Sequence, residues 1–330
     1  MRPFAIGRQL LVVAGMLMVS AASAGAQGNA QCAAYGSGQF GSPQAQNVCN
    51  AAVDGESVFA PVVGILVTGG NPFLGATGGP GGFPHLGLTL RINVTQVAIP
   101  DLSYNGTGTT VAMGQTITVP APLIEGALGI FRGLRGGVLA LDALGSAQLL
   151  PTGLIKNVYI DFNARRIGSV ALGLGFGGRL TLLGESSLLP SVTVSVMRRT
   201  LPRIGVGNID GGDRYSFASD LASTEYRATV GKRFGPLDLG AGAGWTDYSA
   251  DAEIIFLNPM TSSPEPSILV TVTDSRAVGF VDGGLPIGRI YLIAEAGLQR
   301  GKALGLVTTF TGNDPKEQRL FGSFGFRFGF

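Results

Sequence analysis

From His85 to Thr95 the chain alternates strictly. Leu86, Leu88, Leu90, Ile92 and Val94 fall on one face, and His85, Gly87, Thr89, Arg91, Asn93 and Thr95 on the other. A period of two marks a strand with one apolar and one polar face. The split returns at Val170, Leu172, Leu174 and Phe176 against Ser169, Ala171, Gly173 and Gly175, and continues at Leu180 and Leu182 opposite Arg179 and Thr181. Val192, Val194 and Val196 repeat it, as do Ile290, Leu292, Ala294, Ala296 and Leu298 opposite Arg289, Tyr291, Glu295 and Gln299. Soluble antiparallel sheets alternate in the same way, so alternation alone leaves a secreted sandwich open.

The breaks between these runs carry a second pattern. Residues 101–114 form a long break, 132–136 a short one, 151–155 an intermediate one, 184–189 a short one and 201–222 a long one. Gly235-Pro236 is tight, 257–267 long, 283–287 short and 311–317 moderately long. Short turns on one side and longer loops on the other are the habit of transmembrane β-barrels, whose short turns face the periplasm. The pattern predicts strands over 84–100, 115–131, 137–150, 156–183, 190–200, 223–234, 237–256, 268–282, 288–310 and 318–330. That is an all-β, antiparallel transmembrane barrel of about ten strands. Twelve is the alternative, because 156–183 is long for one strand and Val58 to Val67 offers another.

The composition supports a membrane barrel. Of 330 residues 45% are hydrophobic and only 13% charged, about half the charge of an ordinary soluble chain. The 53 glycines disfavour a mainly helical protein. At the start, Arg2 and Arg8 flank a basic stretch, an apolar run spans 10–19, and Ala22-Ser23-Ala24 and Ala24-Gly25-Ala26 offer small-x-small cleavage sites. This is the secretory pattern, and the run is shorter than the roughly 18–20 residues of a spanning helix. Residues 1–26 are therefore expected to be a signal peptide, 27–83 an N-terminal periplasmic or plug segment, and 84–330 the barrel. A net charge of +2 without a basic patch argues against nucleic acid as a partner.

Cys32 and Cys49 are the only cysteines. Past an export signal they should form a disulfide, expected to hold the N-terminal segment at or inside the periplasmic mouth. Gln31, where a lipobox needs a small residue, weakens a lipoprotein reading. Two cysteines without His or acidic partners at ligand spacing make zinc a poor candidate.

The last strand places Phe324, Phe326, Phe328 and Phe330 on one face, opposite Gly325, Arg327 and Gly329. Here the chain resembles outer-membrane β-barrel proteins, whose final strand commonly ends in phenylalanine. The resemblance implies that this strand is an assembly signal read by the barrel-assembly machinery. It also implies that the protein lies among the lipids of a Gram-negative-type outer membrane.

The faces turned from lipid carry Arg91, Asp142, Arg179, Glu225, Arg227, Arg233, Glu295 and Arg327. In a wet lumen they would set ion selectivity; in a narrow barrel they would pair and brace a filled interior. No catalytic set emerges. The single histidine, His85, is followed by Leu86 and Gly87, so a His-x-Ser pair is missing and no Ser-His nucleophile can be assembled. An acid-protease-like use of His85 with paired aspartates stays open. The glycine pairs around Gly173-Leu174-Gly175 and Gly240 to Gly244 lie in strand patterns rather than at a strand-to-helix turn, which removes a nucleotide-loop reading. No enzyme activity, cofactor or metal is expected, and the oligomeric state stays open.

Inward glycines at 87, 173, 175, 177, 240, 242, 244, 325 and 329 empty the lumen of side chains. The N-terminal segment, with Val58 to Val67 and the turn Gly69-Gly70-Asn71-Pro72, could fill that space as a plug. This turn is similar to the Asn-Pro-Ala turn in the N-terminal hatch of the long-chain fatty-acid transporters, with Phe73 in place of the Ala. That likeness implies uptake of hydrophobic solutes. Two functions remain: a passive channel or uptake pore for small or hydrophobic solutes, or a non-conducting structural or surface-binding barrel that presents loops 101–114 and 201–222.

Overall fold

The computed structural model describes residues 30–37, 39, 41–75, 81–151, 153, 158–160, 166–167 and 170–329. The expected signal peptide, 1–26, and Phe330 lie outside them.

Ten long strands follow a helix, α1 (Pro43–Thr68). They are β1 (Leu86–Pro100), β2 (Met113–Phe131), β3 (Ala140–Pro151), β4 (Val170–Leu183) and β5 (Ser191–Val206), then β6 (Tyr215–Phe234), β7 (Leu237–Phe256), β8 (Ile268–Ile287), β9 (Ile290–Arg300) and β10 (Gln318–Gly329). Each pairs antiparallel with the next, and β10 returns to β1 with Phe328 opposite Leu88 and Phe324 opposite Ile92. Closure leaves no strand edge unpaired, the condition a sheet must meet to stand in lipid. Short pieces at Val158–Ile160 and Arg166–Ile167 extend the wall beside β5 and β4. Among the loops, Thr309–Phe310 runs parallel to Thr110–Val111.

Several expected boundaries move. The piece read as one strand over 156–183 begins as a long strand only at Val170, and the strand expected over 288–310 ends at Arg300. β5, β6 and β8 outrun the expected 190–200, 223–234 and 268–282. The twelve-strand alternative is corrected at Val58 to Val67, which is helical. The reason is confinement. The barrel wall has already paired its own backbone, so a segment inside it must satisfy its N–H and C=O groups by itself, which only a helix does. Local signals agree: Ser42 caps the first turn by accepting from the Ala45 N–H at 3.0 Å, Pro43 holds the first helical position, and Gly69 ends the helix at φ 64°. Every residue from Val48 to Thr68 is buried, as an all-round apolar helix requires. α1 is long and apolar enough to cross a bilayer, yet its apolar stretch is wholly buried inside the protein.

β7 shows where the membrane lies. Its outward residues are Leu237, Leu239, Ala241, Ala243 and Trp245, then Asp247, Ser249, Asp251 and Glu253. Its inward residues run the opposite way, from Asp238, Gly240, Gly242, Gly244 and Thr246 to Tyr248, Ala250, Ala252, Ile254 and Phe256. The neighbouring strands share the reversal, since Tyr226, Trp245 and Ala277 are register partners, and so are Thr224, Asp247 and Ser275 in the next outward row. The outward apolar stretch on β7 is about the 9–11 residues a tilted strand needs to cross the hydrocarbon. Tyr226 and Trp245 stack at its upper edge, ring centroids 5.0 Å apart, in the place of an aromatic girdle. Below the reversal the wall is apolar outside and polar inside. Above it the barrel projects into water and holds an apolar core, in which α1 packs on Phe217, Leu221, Tyr248, Ile254 and Val272.

Candidate functional site

The lumen is occupied by α1 and by the turn that follows it. A helix C-terminus presents unpaired carbonyls and the negative end of the helix dipole. Here those carbonyls meet three arginines from the wall. Arg199 donates to the Thr68 carbonyl at 2.9 Å, Arg227 to those of Gly69 and Gly70 at 3.3 and 3.0 Å, and Arg91 to that of Asn71 at 3.1 Å. The turn's own donors go the other way: the Glu295 carboxylate accepts from the backbone N–H of Gly70 at 3.0 Å and of Asn71 at 2.6 Å. Asp282 accepts from the Asn71 side-chain amide at 2.8 Å, and Asn93 donates to the Leu66 carbonyl at 2.8 Å.

The charges of this clasp alternate. Arg91 lies 3.6 Å from Glu295 and 3.0 Å from Glu125; Arg199 reaches Glu125 at 2.6 Å and also contacts Glu225, which lies 3.6 Å from Arg227. Three cations and three anions, all buried, thus link β9, β1, β2, β5 and β6 across the lumen. The inward glycines make it possible: a side chain at Gly175 would run into Arg199. Such a cluster stabilises little against an apolar filling, but removing one member strands its partners in a dry interior.

Nearer the short turns, Phe73 packs into the space left open by Gly87, and the Arg179 guanidinium stands 5.0 Å from its ring centroid. Asp142 and Arg179 pair at 2.9 Å. Arg327 lies 3.3 Å from Asp238, 4.1 Å from the Tyr291 ring centroid, and donates to the Gly75 carbonyl. Above the clasp, Asp54 accepts from the N–H groups of Val307 and Thr308 at 2.9 and 2.7 Å. Glu56 is fully buried, and burial pushes its carboxyl up to about 8, with the Ser219 hydroxyl beside it pulling the other way.

Of the lumen residues expected from sequence, Arg91, Glu225, Arg227 and Glu295 meet in the clasp, and Asp142, Arg179 and Arg327 sit below it. Arg233 stands apart at the short-turn end, half exposed and 2.7 Å from Asp238. Sequence reading missed Glu125, Arg199, Asp282 and the partners on α1. Parity would have found Arg199, which continues the inward series Thr193, Ser195 on β5. Phe324 and Phe326 face outward with half their surface exposed, and Phe328 shares their side of the strand. His85 stands exposed at the short-turn end, its Nδ1 2.8 Å from the Gly82 carbonyl. Among the described residues no group of three or more His, Cys, Asp or Glu is placed to hold a metal.

Cys32 and Cys49 are joined, with Cα atoms 5.5 Å apart. The bond sits at the long-loop end of the barrel. Tyr35 stands edge-on to Phe256, ring centroids 4.9 Å apart, and Asn47 donates to the carbonyl of Gly106 in loop 101–112 at 3.0 Å. From that end the chain runs down α1 to the clasp and through the 69–75 turn towards the foot of β1.

No protein-family model matches the chain, and no curated protein matches it. Solved structures similar to it include a protease, a translocator domain and a transporter. The outer membrane protease OmpT from Escherichia coli is 9% identical with a TM-score of 0.38, over 75% of this chain and 97% of that one. The translocator domain of the autotransporter NalP from Neisseria meningitidis is 10% identical with a TM-score of 0.38, over 82% and 92%. The copper transporter OprC is 10% identical with a TM-score of 0.30, over 66% and 36%. At this distance no residue role passes from them to this chain. The fold is a closed antiparallel β-barrel of ten long strands round an N-terminal helix.

Proposed function

We propose that the protein is a plugged outer-membrane barrel, non-conducting at rest, whose working surface is the long-loop end. The observation that carries this reading is the clasp, which ties the C-terminal end of α1 to five strands at the level of the membrane. Passive flow needs a continuous wet path, and the described lumen is filled by α1, the 69–75 turn and paired charges. Loops 101–112, 207–214, 257–267 and 301–317 then offer the surface for binding.

A second reading is an uptake pore that opens when the plug moves. It is favoured by the polar, glycine-rich lining below the clasp, where Thr193, Thr229, Gly240 and Gly242 would leave a wet channel once the helix withdrew. Reconstituted vesicles test the resting plug on which both readings depend. With the intact protein, the resting-plug reading expects no solute-driven swelling beyond protein-free vesicles. Deletion of residues 27–80 should admit small sugars. Swelling by the intact protein would overturn the plugged reading in favour of an open pore.

A further inference from the structure

α1 has a direction along the barrel. Its contacts descend the wall in order. Tyr35 meets Phe256, the last residue of β7, and Asn47 meets Gly106 in a long loop. Asp54 meets Val307 and Thr308 in another long loop, and Phe59 packs on Phe217, ring centroids 5.5 Å apart. Gly64 lies against the Tyr248 ring, Thr68 to Asn71 fill the clasp, and Phe73 reaches Gly87 at the foot of β1. The segment therefore starts among the long loops, α1 ends in the clasp, and the turn after it reaches the short-turn end at Phe73.

The outward polarity of the wall says which end is which. The apolar band starts directly at the short turns, where Phe131, Phe234, Leu237 and Ile287 are exposed. At the other end β7 continues from Thr246 to Phe256 beyond the band, polar outside. Barrels of this class keep turns close to the periplasmic face and project their loops outward. The described wall is hydrogen-bonded all round, since β1 pairs with β10 and β4 with β5. A chain that starts above and begins its first strand below has only the lumen as its path.

We propose that this barrel closes round its own N-terminal helix and so carries the stretch ahead of α1 across the membrane, to be displayed at the cell surface. The displayed element is the disulfide-closed loop of Cys32 to Cys49. It rests against Phe256 and loop 101–112 and joins the long loops in one exposed face. This inference relies on the outer-membrane placement proposed above and adds to it the side on which the N-terminus lies.

The test uses two tagged forms of the full chain in cells. One carries an epitope between Asn29 and Ala30, the other carries it after Thr261 in loop 257–267, and antibody labelling is compared before and after permeabilisation. Both epitopes are expected to label fully on intact cells. A loop epitope seen on intact cells beside an N-terminal epitope seen only after permeabilisation overturns this inference and leaves the barrel placement standing. Failure of both to label on intact cells removes the placement, and the inference with it. An antibody raised against a peptide of residues 30–42, applied to the untagged protein, gives the same reading where an insertion blocks folding. Silence on intact cells with signal after permeabilisation again overturns it.

Discussion

Glu295 holds Asn71 through the backbone: its carboxylate accepts the Asn71 N–H at 2.6 Å while its other oxygen takes the Gly70 N–H at 3.0 Å. The wall thus grips main-chain atoms of the plug, and the grip depends on the carboxylate's charge, since Arg91 lies only 3.6 Å away.

Removing that group should loosen the plug. Glu295→Ala leaves two buried N–H groups and part of the Arg91 charge without a partner, a loss of about 3–5 kcal/mol for a broken buried pair. Glu295→Gln keeps one acceptor oxygen and should lose less. Denaturant unfolding in lipid vesicles, followed by heat-modifiable gel migration, would order the three proteins as wild type, Gln, Ala. Equal stability of Ala and wild type would show that the clasp does not hold the helix.

The reversal at Trp245 makes a paired prediction about arginine. At Ala241, halfway up the outward apolar stretch, an arginine meets the hydrocarbon midplane and should cost about 2–4 kcal/mol. Ser249 lies on the same outward face but above Trp245, so Ser249→Arg should change folding into vesicles by about 0–1 kcal/mol. Equal costs at the two sites would contradict the placement of the membrane.

Glu56 predicts a pH dependence. Its carboxyl is raised from 4.5 to about 8 by burial, so the folded state holds a proton that the unfolded chain releases. The contribution is fully present below about pH 4.5 and is lost as pH rises to about 8, above which it stays lost. Stability of the wild type should fall across that window, and Glu56→Gln should flatten the fall. A wild-type curve that rises between pH 5 and 8 would exclude a protonated Glu56.

The strands were legible because each one is half wet and half dry, and the period of two survives any uncertainty about its ends. The phase slip on β7 was equally present, with apolar residues at odd positions up to Trp245 and at even positions from Tyr248, and it marks the edge of the membrane. α1 was not legible as a helix: Gly55, Pro61 and Gly64 interrupt it, and its conformation follows from confinement within a wall that lends it few hydrogen bonds. The cysteine pairing could be read from position and compartment. Its end of the barrel could not, because that depends on the path of α1 and the 69–75 turn through the lumen. Arg199 lay inside the expected strand 190–200 with its parity set by Thr193 and Ser195, but Met197 inward and Arg198 outward break the apolar–polar alternation just before it.

The central claim is that α1 closes the lumen, and planar-bilayer recording tests it most directly. The intact, folded protein should show no steady conductance at neutral pH, whereas the barrel lacking residues 43–75 should give stable open levels. A steady conductance of the same size from both proteins would contradict the account.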